Sequence, residues 1–155
     1  MKKIIVILLF STVFWACNNP ETSSKKEVAP AVEADHHEHA ENKTGLELNN
    51  GDKWKADNST NNNVKDLQVV LEQFNARTDQ SMAAYKLAAD DLQLGLNKMV
   101  SECKMKGPDH DALHKWLEPL IGQVKELKQV STEADAAKMI AAIHTQVNYY
   151  NQYFE

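Results

Sequence analysis

The stretch Ser101-Glu102-Cys103-Lys104-Met105-Lys106-Gly107-Pro108-Asp109-His110-Asp111-Ala112-Leu113-His114 puts a thiol, a thioether and two imidazoles within 14 residues. His110 and His114 stand at i and i+4, so on a helix both rings leave the same side. That spacing is the usual way a helix offers two ligands to one metal ion. Soft sulfur with imidazole favours Cu(I), and Cys with His also suits Zn²⁺. A second His-rich run, Asp35-His36-His37-Glu38-His39-Ala40-Glu41, holds three imidazoles and three carboxylates in seven residues. Short tracts of this kind bind Zn²⁺, Cu²⁺ or Ni²⁺. Binding there is expected to be loose, because the chain must be ordered as the ion binds.

Each of these residues also has a plain structural role open to it. Cys103 falls on an apolar stripe, where a small core residue is equally at home. Met99 and Met105 can simply fill space. His110 falls in the first turn of a helix, a tolerant surface position. The His tract can be no more than a solvated polar segment.

Four amphipathic helices are expected to position these groups. Asn58 to Asn63 is a polar, cap-rich run, after which Val64, Leu67, Val70, Leu71 and Phe74 repeat at helical spacing. A second helix is expected from about Ser81, with the stripe Tyr85, Ala88, Leu92, Leu96, Met99, Cys103. Gly107-Pro108 should separate it from a third, since Gly suits the αL position past a helix and Pro the first turn of the next. The third carries Leu113, Leu117, Leu120, Val124 and Leu127, with an expected kink at Pro119. Ser131 or Thr132 should cap a fourth, with Ala136, Ile140, Ile143, His144, Val147, Tyr150 and Phe154 on one face.

Short connections make neighbouring helices antiparallel, giving an all-α, up-down four-helix bundle over 58–155. Pairing the third and fourth helices about Val130 sets Leu117 opposite His144. The His144 ring would then point inward, about one turn from His114. The expected ligand set is therefore Cys103, His110 and His114, completed by His144 or Met105. Ahead of the bundle, Leu46-Glu47-Leu48 and Lys53-Trp54-Lys55-Ala56 alternate around Asn50-Gly51, a strong hairpin signal. This predicts a short β-hairpin over 46–57 with Leu46 and Leu48 on one face and Trp54 as partner.

The N-terminus reads as an address. Met1-Lys2-Lys3 is followed by an apolar run of 13 residues, Ile4 to Ala16, too short to cross a membrane. With Cys17 directly after, residues 1–17 resemble a bacterial lipoprotein signal, in which the Cys receives a lipid and becomes the mature N-terminus. Phe14 and Trp15 depart from the usual pattern, and plain secretion is the alternative. Lipidation would tether the protein without spanning. Asn18 in place of Asp looks like sorting to the outer membrane, with the protein facing the periplasm. Removal of residues 1–16 would take away Lys2 and Lys3 and move the net charge from −5 to −7. Residues 17–45 contain no aromatic and almost no large aliphatic side chain, the composition of a disordered tether.

The 155-residue chain suits one folded domain. Its acidity excludes a nucleic-acid binder, which would carry a basic face. Two cysteines, Cys17 and Cys103, exclude a disulfide scaffold. Phosphate-binding, hydrolase-elbow and c-type haem motifs are all absent, so no enzyme is expected. If Cys17 is lipidated, Cys103 lacks a partner in its own chain. It must then be buried, metal-bound or paired with another molecule.

Cys103-x-Met105-x-Gly107-x-x-His110-x-x-Leu113-His114-x-Trp116-Leu117, with Leu48-Asn49-Asn50-Gly51-x-Lys53-Trp54, resembles a family of small bacterial lipoproteins of unassigned activity, over residues 46–155. The resemblance implies a helical exported domain and no known reaction. The expected function is that of a lipid-anchored envelope protein that binds or buffers copper, or else zinc. A metal-free lipoprotein that docks another envelope protein is the alternative, and a b-type haem bundle ranks behind both.

Overall fold

The computed structural model describes residues 45–155. The expected signal over 1–16, Cys17 and the His36, His37, His39 tract lie outside the described residues. Four α-helices form an up-down bundle: α1 Asn58–Asn75, α2 Met82–Glu102, α3 Pro108–Leu127 and α4 Glu133–Tyr153. Sequential neighbours pack, α1 closes on α4, and α2 reaches α4 across the diagonal. Among the described residues no helix is long and apolar enough to cross a membrane.

Three helix starts are set by side-chain caps. Ser81 accepts from the Ala84 N–H at 3.3 Å and Thr132 from the Asp135 N–H at 3.1 Å. Asp135 returns the favour by accepting the Thr132 hydroxyl at 2.7 Å. The third cap is Asp57, which accepts from the Thr60 N–H at 2.6 Å. The run Asn58 to Asn63 is therefore the first two turns of α1 and not its approach. Asn is a mediocre helix former, but Thr60 and Asn63 are buried and the cap at Asp57 holds the turn in place.

The core runs along the helix stripes expected from the spacing. Leu67, Leu71, Leu92, Leu96, Met99, Leu113, Leu120, Val124, Leu127 and Ile143 are all sealed from solvent. At its centre the Trp116 indole N–H donates to the Gln146 carbonyl at 2.7 Å, and the Gln146 amide donates back to the Trp116 carbonyl at 2.8 Å. This reciprocal pair sets the α3–α4 register one residue from the expected pairing of Leu117 with His144. α3 runs unbroken from Pro108 to Leu127 with Pro119 inside it.

Backbone pairing of the hairpin is confined to its tip, and the Trp54 indole N–H reaches across to the Glu47 carbonyl at 2.7 Å. Asn49 and Asp52 exchange backbone hydrogen bonds of 2.8 and 3.0 Å around Asn50 and Gly51, both at positive φ. Beyond that turn there is no strand among the described residues. The second arm pairs instead with the end of the chain. Trp54 N–H donates to the Tyr153 carbonyl, Glu155 N–H to the Trp54 carbonyl and Ala56 N–H to the Glu155 carbonyl, at 2.8–3.0 Å. Leu46 is buried while Leu48 is exposed, so the two do not share a covered face. A two-stranded ribbon is marginal by itself, and the extended arm gains more by lying against α4.

Candidate metal centre

α2 ends earlier than the stripe suggests. Glu102 is its last residue, and Cys103 is the C-cap, its N–H bonded to the Met99 carbonyl. Gly107 lies beyond that cap and serves as the N-cap of α3, at φ 67 and ψ −154, with Pro108 as the first helical residue. The segment 103–107 is thus a loop, and it is tied down from α1. Asp57 accepts the Lys104 N–H at 2.8 Å, the Ser59 hydroxyl donates to the Glu102 carbonyl at 3.1 Å, and the Asn63 amide donates to the Glu102 carboxylate at 2.9 Å.

This clamp delivers the thiol to α3. Cys103 Sγ lies 3.6 Å from His110 Nδ1. The other nitrogen of the same ring, Nε2, lies 3.0 Å from His114 Nε2. His114 Nδ1 in turn lies 3.2 Å from the Glu118 carboxylate. The two rings meet edge to face, with centroids 4.6 Å apart. The result is a line of four groups, Cys103–His110–His114–Glu118, half-buried at the thiol and open to solvent at the carboxylate. One proton order satisfies every contact: thiol to His110, His110 to His114, His114 to Glu118. Glu118 is the member the sequence reading missed, although it continues the i, i+4 series from His110 and His114.

His144 and Met105 do not complete the corner. His144 contacts Asn148, one turn along its own helix, at 3.2 Å. The Trp116–Gln146 register sets His144 about level with Glu118, one turn from His114. Met105 is half-buried and packs against the core. Among the described residues no three His, Cys, Asp or Glu side chains form a ready cage. The corner is therefore a row of pairwise contacts, and the convergent four-ligand cluster expected from the sequence is not what the fold builds.

Behind the thiol, the Tyr150 hydroxyl donates to Asn61 Oδ1 at 2.9 Å. Burial, with added push from Asp57 and Cys103, raises the Tyr150 phenol well above its ordinary value. It stays neutral and acts as a hydrogen-bond donor under the loop. Asp57 behaves oppositely. Burial pushes its carboxyl up, but the Thr60 and Lys104 N–H groups and the Ser59 hydroxyl outweigh it and leave it at about 2. A carboxyl depressed on folding contributes stability above its ordinary value, and that stability is lost as pH falls through the folded value. Asp57→Ala is therefore expected to cost about 1–2 kcal/mol at pH 7. The gap between variant and parent, read from denaturant unfolding, should close between pH 4 and pH 2.

Comparison with family models, with curated proteins and with solved structures finds no match to this chain.

Proposed function

We propose that this protein binds a transition metal ion, copper foremost, through the Nε2 atoms of His110 and His114, and that it does so tethered to the cell envelope by a lipid on Cys17. One observation carries the metal reading. The two Nε2 atoms lie 3.0 Å apart while each Nδ1 is held from outside, by Glu118 on one ring and by Cys103 on the other. Metal-bound imidazoles are normally anchored in this way, with a carboxylate or another acceptor on the far nitrogen fixing ring and tautomer. Two tetrahedral nitrogen ligands at about 2.0–2.1 Å from zinc would stand about 3.4 Å apart, so a small turn of either ring opens the space for an ion. Water or an exchangeable ligand fills the remaining positions. That suits handing an ion on rather than locking it away.

The tether rests on residues 1–17, and the His36, His37, His39 tract would act as a loose collector feeding the pair. The test is calorimetric titration of the full chain carrying His36→Ala, His37→Ala and His39→Ala, so that only the bundle ligands remain. One equivalent of Ni(II) or Cu(II) should bind, and His114→Ala should abolish it. Glu118→Gln should weaken it about 10- to 100-fold, the usual cost of losing an outer carboxylate. Absence of stoichiometric binding by this folded protein would sink the reading.

A second reading is favoured by α2, where Leu87 and Leu94 stand two turns apart and are 49% and 67% exposed. An exposed apolar stripe is what a docking lipoprotein would present. It requires that partner binding survive loss of the His pair.

A further inference from the structure

The corner has two metal-binding edges, and they share one ring. The first is the imidazole pair described above. The second is Cys103 Sγ with His110 Nδ1, 3.6 Å apart. A tetrahedral ion with sulfur at about 2.3 Å and nitrogen at about 2.0–2.1 Å spans about 3.6 Å between them, so the spacing of this edge already matches. The two nitrogens of His110 point away from each other. An ion between Cys103 and Nδ1 therefore cannot touch His114, and an ion between the two Nε2 atoms cannot touch Cys103.

From this geometry we infer that Cys103 and His110 Nδ1 form a separate soft-metal position that takes Cu(I), in competition with a divalent ion on the His110–His114 edge. The inference rests on the metal-binding reading above and adds selectivity to it. Competition follows from proton counting. A neutral imidazole carries one proton, so a metal on one nitrogen leaves the proton on the other. With a divalent ion on Nε2, the His110 proton sits on Nδ1 and is donated to the Cys103 sulfur. With Cu(I) on Nδ1 and the Cys103 sulfur, the thiol proton is released to solvent, and the ring proton sits on Nε2 and is donated to His114 Nε2, 3.0 Å away. Each state replaces one contact of the ring by an ion and keeps the hydrogen bond on its other nitrogen, so the ring holds one ion at a time. Thiolate selects the soft monovalent ion and paired imidazoles the borderline divalent one.

The experiment uses the full chain with the three tract histidines replaced by Ala, under anaerobic conditions. Cu(I) is titrated in competition with a chromogenic chelator, and Ni(II), which does not oxidise thiols, in a parallel series. Cys103→Ser keeps an acceptor for the Nδ1–H but removes the soft ligand. It should weaken Cu(I) at least about 100-fold and leave Ni(II) within about threefold. His114→Ala should do the reverse, and His110→Ala should lose both ions. Saturating Ni(II) should raise the apparent Cu(I) dissociation constant in the parent protein. Thermal melts of each variant confirm that the bundle is intact. If Cys103→Ser and His114→Ala weaken both ions in equal proportion, the three residues serve one shared site and the two-edge inference fails, while the metal reading stands. If neither ion binds the folded parent, both fail.

Discussion

Trp116→Ala should destabilise the bundle by about 3–5 kcal/mol, the range seen when a buried aromatic is truncated to a methyl. Trp116 is fully buried. Its ring meets Tyr150 edge on, with centroids 5.0 Å apart. Its indole N–H donates to the Gln146 carbonyl across the α3–α4 seam. Truncation therefore removes packing, an aromatic contact and a buried hydrogen bond together. Urea unfolding should show a large fall in midpoint with an unchanged slope, the sign of lost stability without a change in the unfolded state. Trp116→Phe separates the contributions. It keeps most of the packing and loses the N–H, so about 1–2 kcal/mol is expected. An alanine variant within 1 kcal/mol of the parent would mean that this seam does not hold the bundle together.

Gly107→Ala should cost about 1–3 kcal/mol and should also loosen the metal corner. Nothing crowds the space a Cβ would occupy at this position. The cost is in the backbone: φ 67 with ψ −154 belongs to a region that only glycine enters easily. The chain can relieve the strain by turning Gly107 toward negative φ. That swings the first turn of α3, and with it His110, away from Cys103. Stability and metal affinity should therefore fall together. Gly122→Ala is the control. It also has open space around it, but sits in the regular helix of α3 and should be neutral or mildly stabilising. Equal behaviour of the two variants would remove the conformational argument.

Much of this arrangement is legible in the sequence. Ser81 and Thr132 are strong caps ahead of apolar stripes, and the helices begin where those residues say they should. Gly107-Pro108 marks the start of α3 for a local reason, the fixed φ of proline and the freedom of glycine. What was not legible depends on distant partners. The Asn-rich stretch 58–63 looks like a cap region because Asn prefers caps. Only the Asp57 carboxylate, bonded at once to α1 and to the Lys104 N–H, shows why it is helical. Leu48 alternates with Leu46, yet the arm follows the end of α4 rather than a strand partner, and only Leu46 is covered. Cys103 fits the α2 stripe by spacing, but the helix stops one residue short of it. The thiol then meets Nδ1 of His110, the nitrogen that faces away from His114. His144 obeys the apolar spacing of α4, yet it is only half-buried and its ring is bonded to Asn148 on its own helix.

The arm at 53–56 has a mechanical consequence. It is stitched to residues 153–155, and it is pinned sideways by Lys53 Nζ on the Asn151 carbonyl at 2.7 Å and by Asp109 on the Lys55 N–H at 3.0 Å. Force applied to the chain ahead of residue 45 must free buried Leu46, the Trp54–Glu47 bond and the Asn49–Asp52 turn, and then loads this clasp. The clasp precedes Asp57 along the chain, so its bonds stand between that load and Asp57. Asp57 is the residue through which α1 holds Lys104, and so Cys103, in place. A pull from the N-terminal side thus meets a sacrificial joint before it reaches the Cys103–His110 corner, and the corner keeps its shape until the joint has failed.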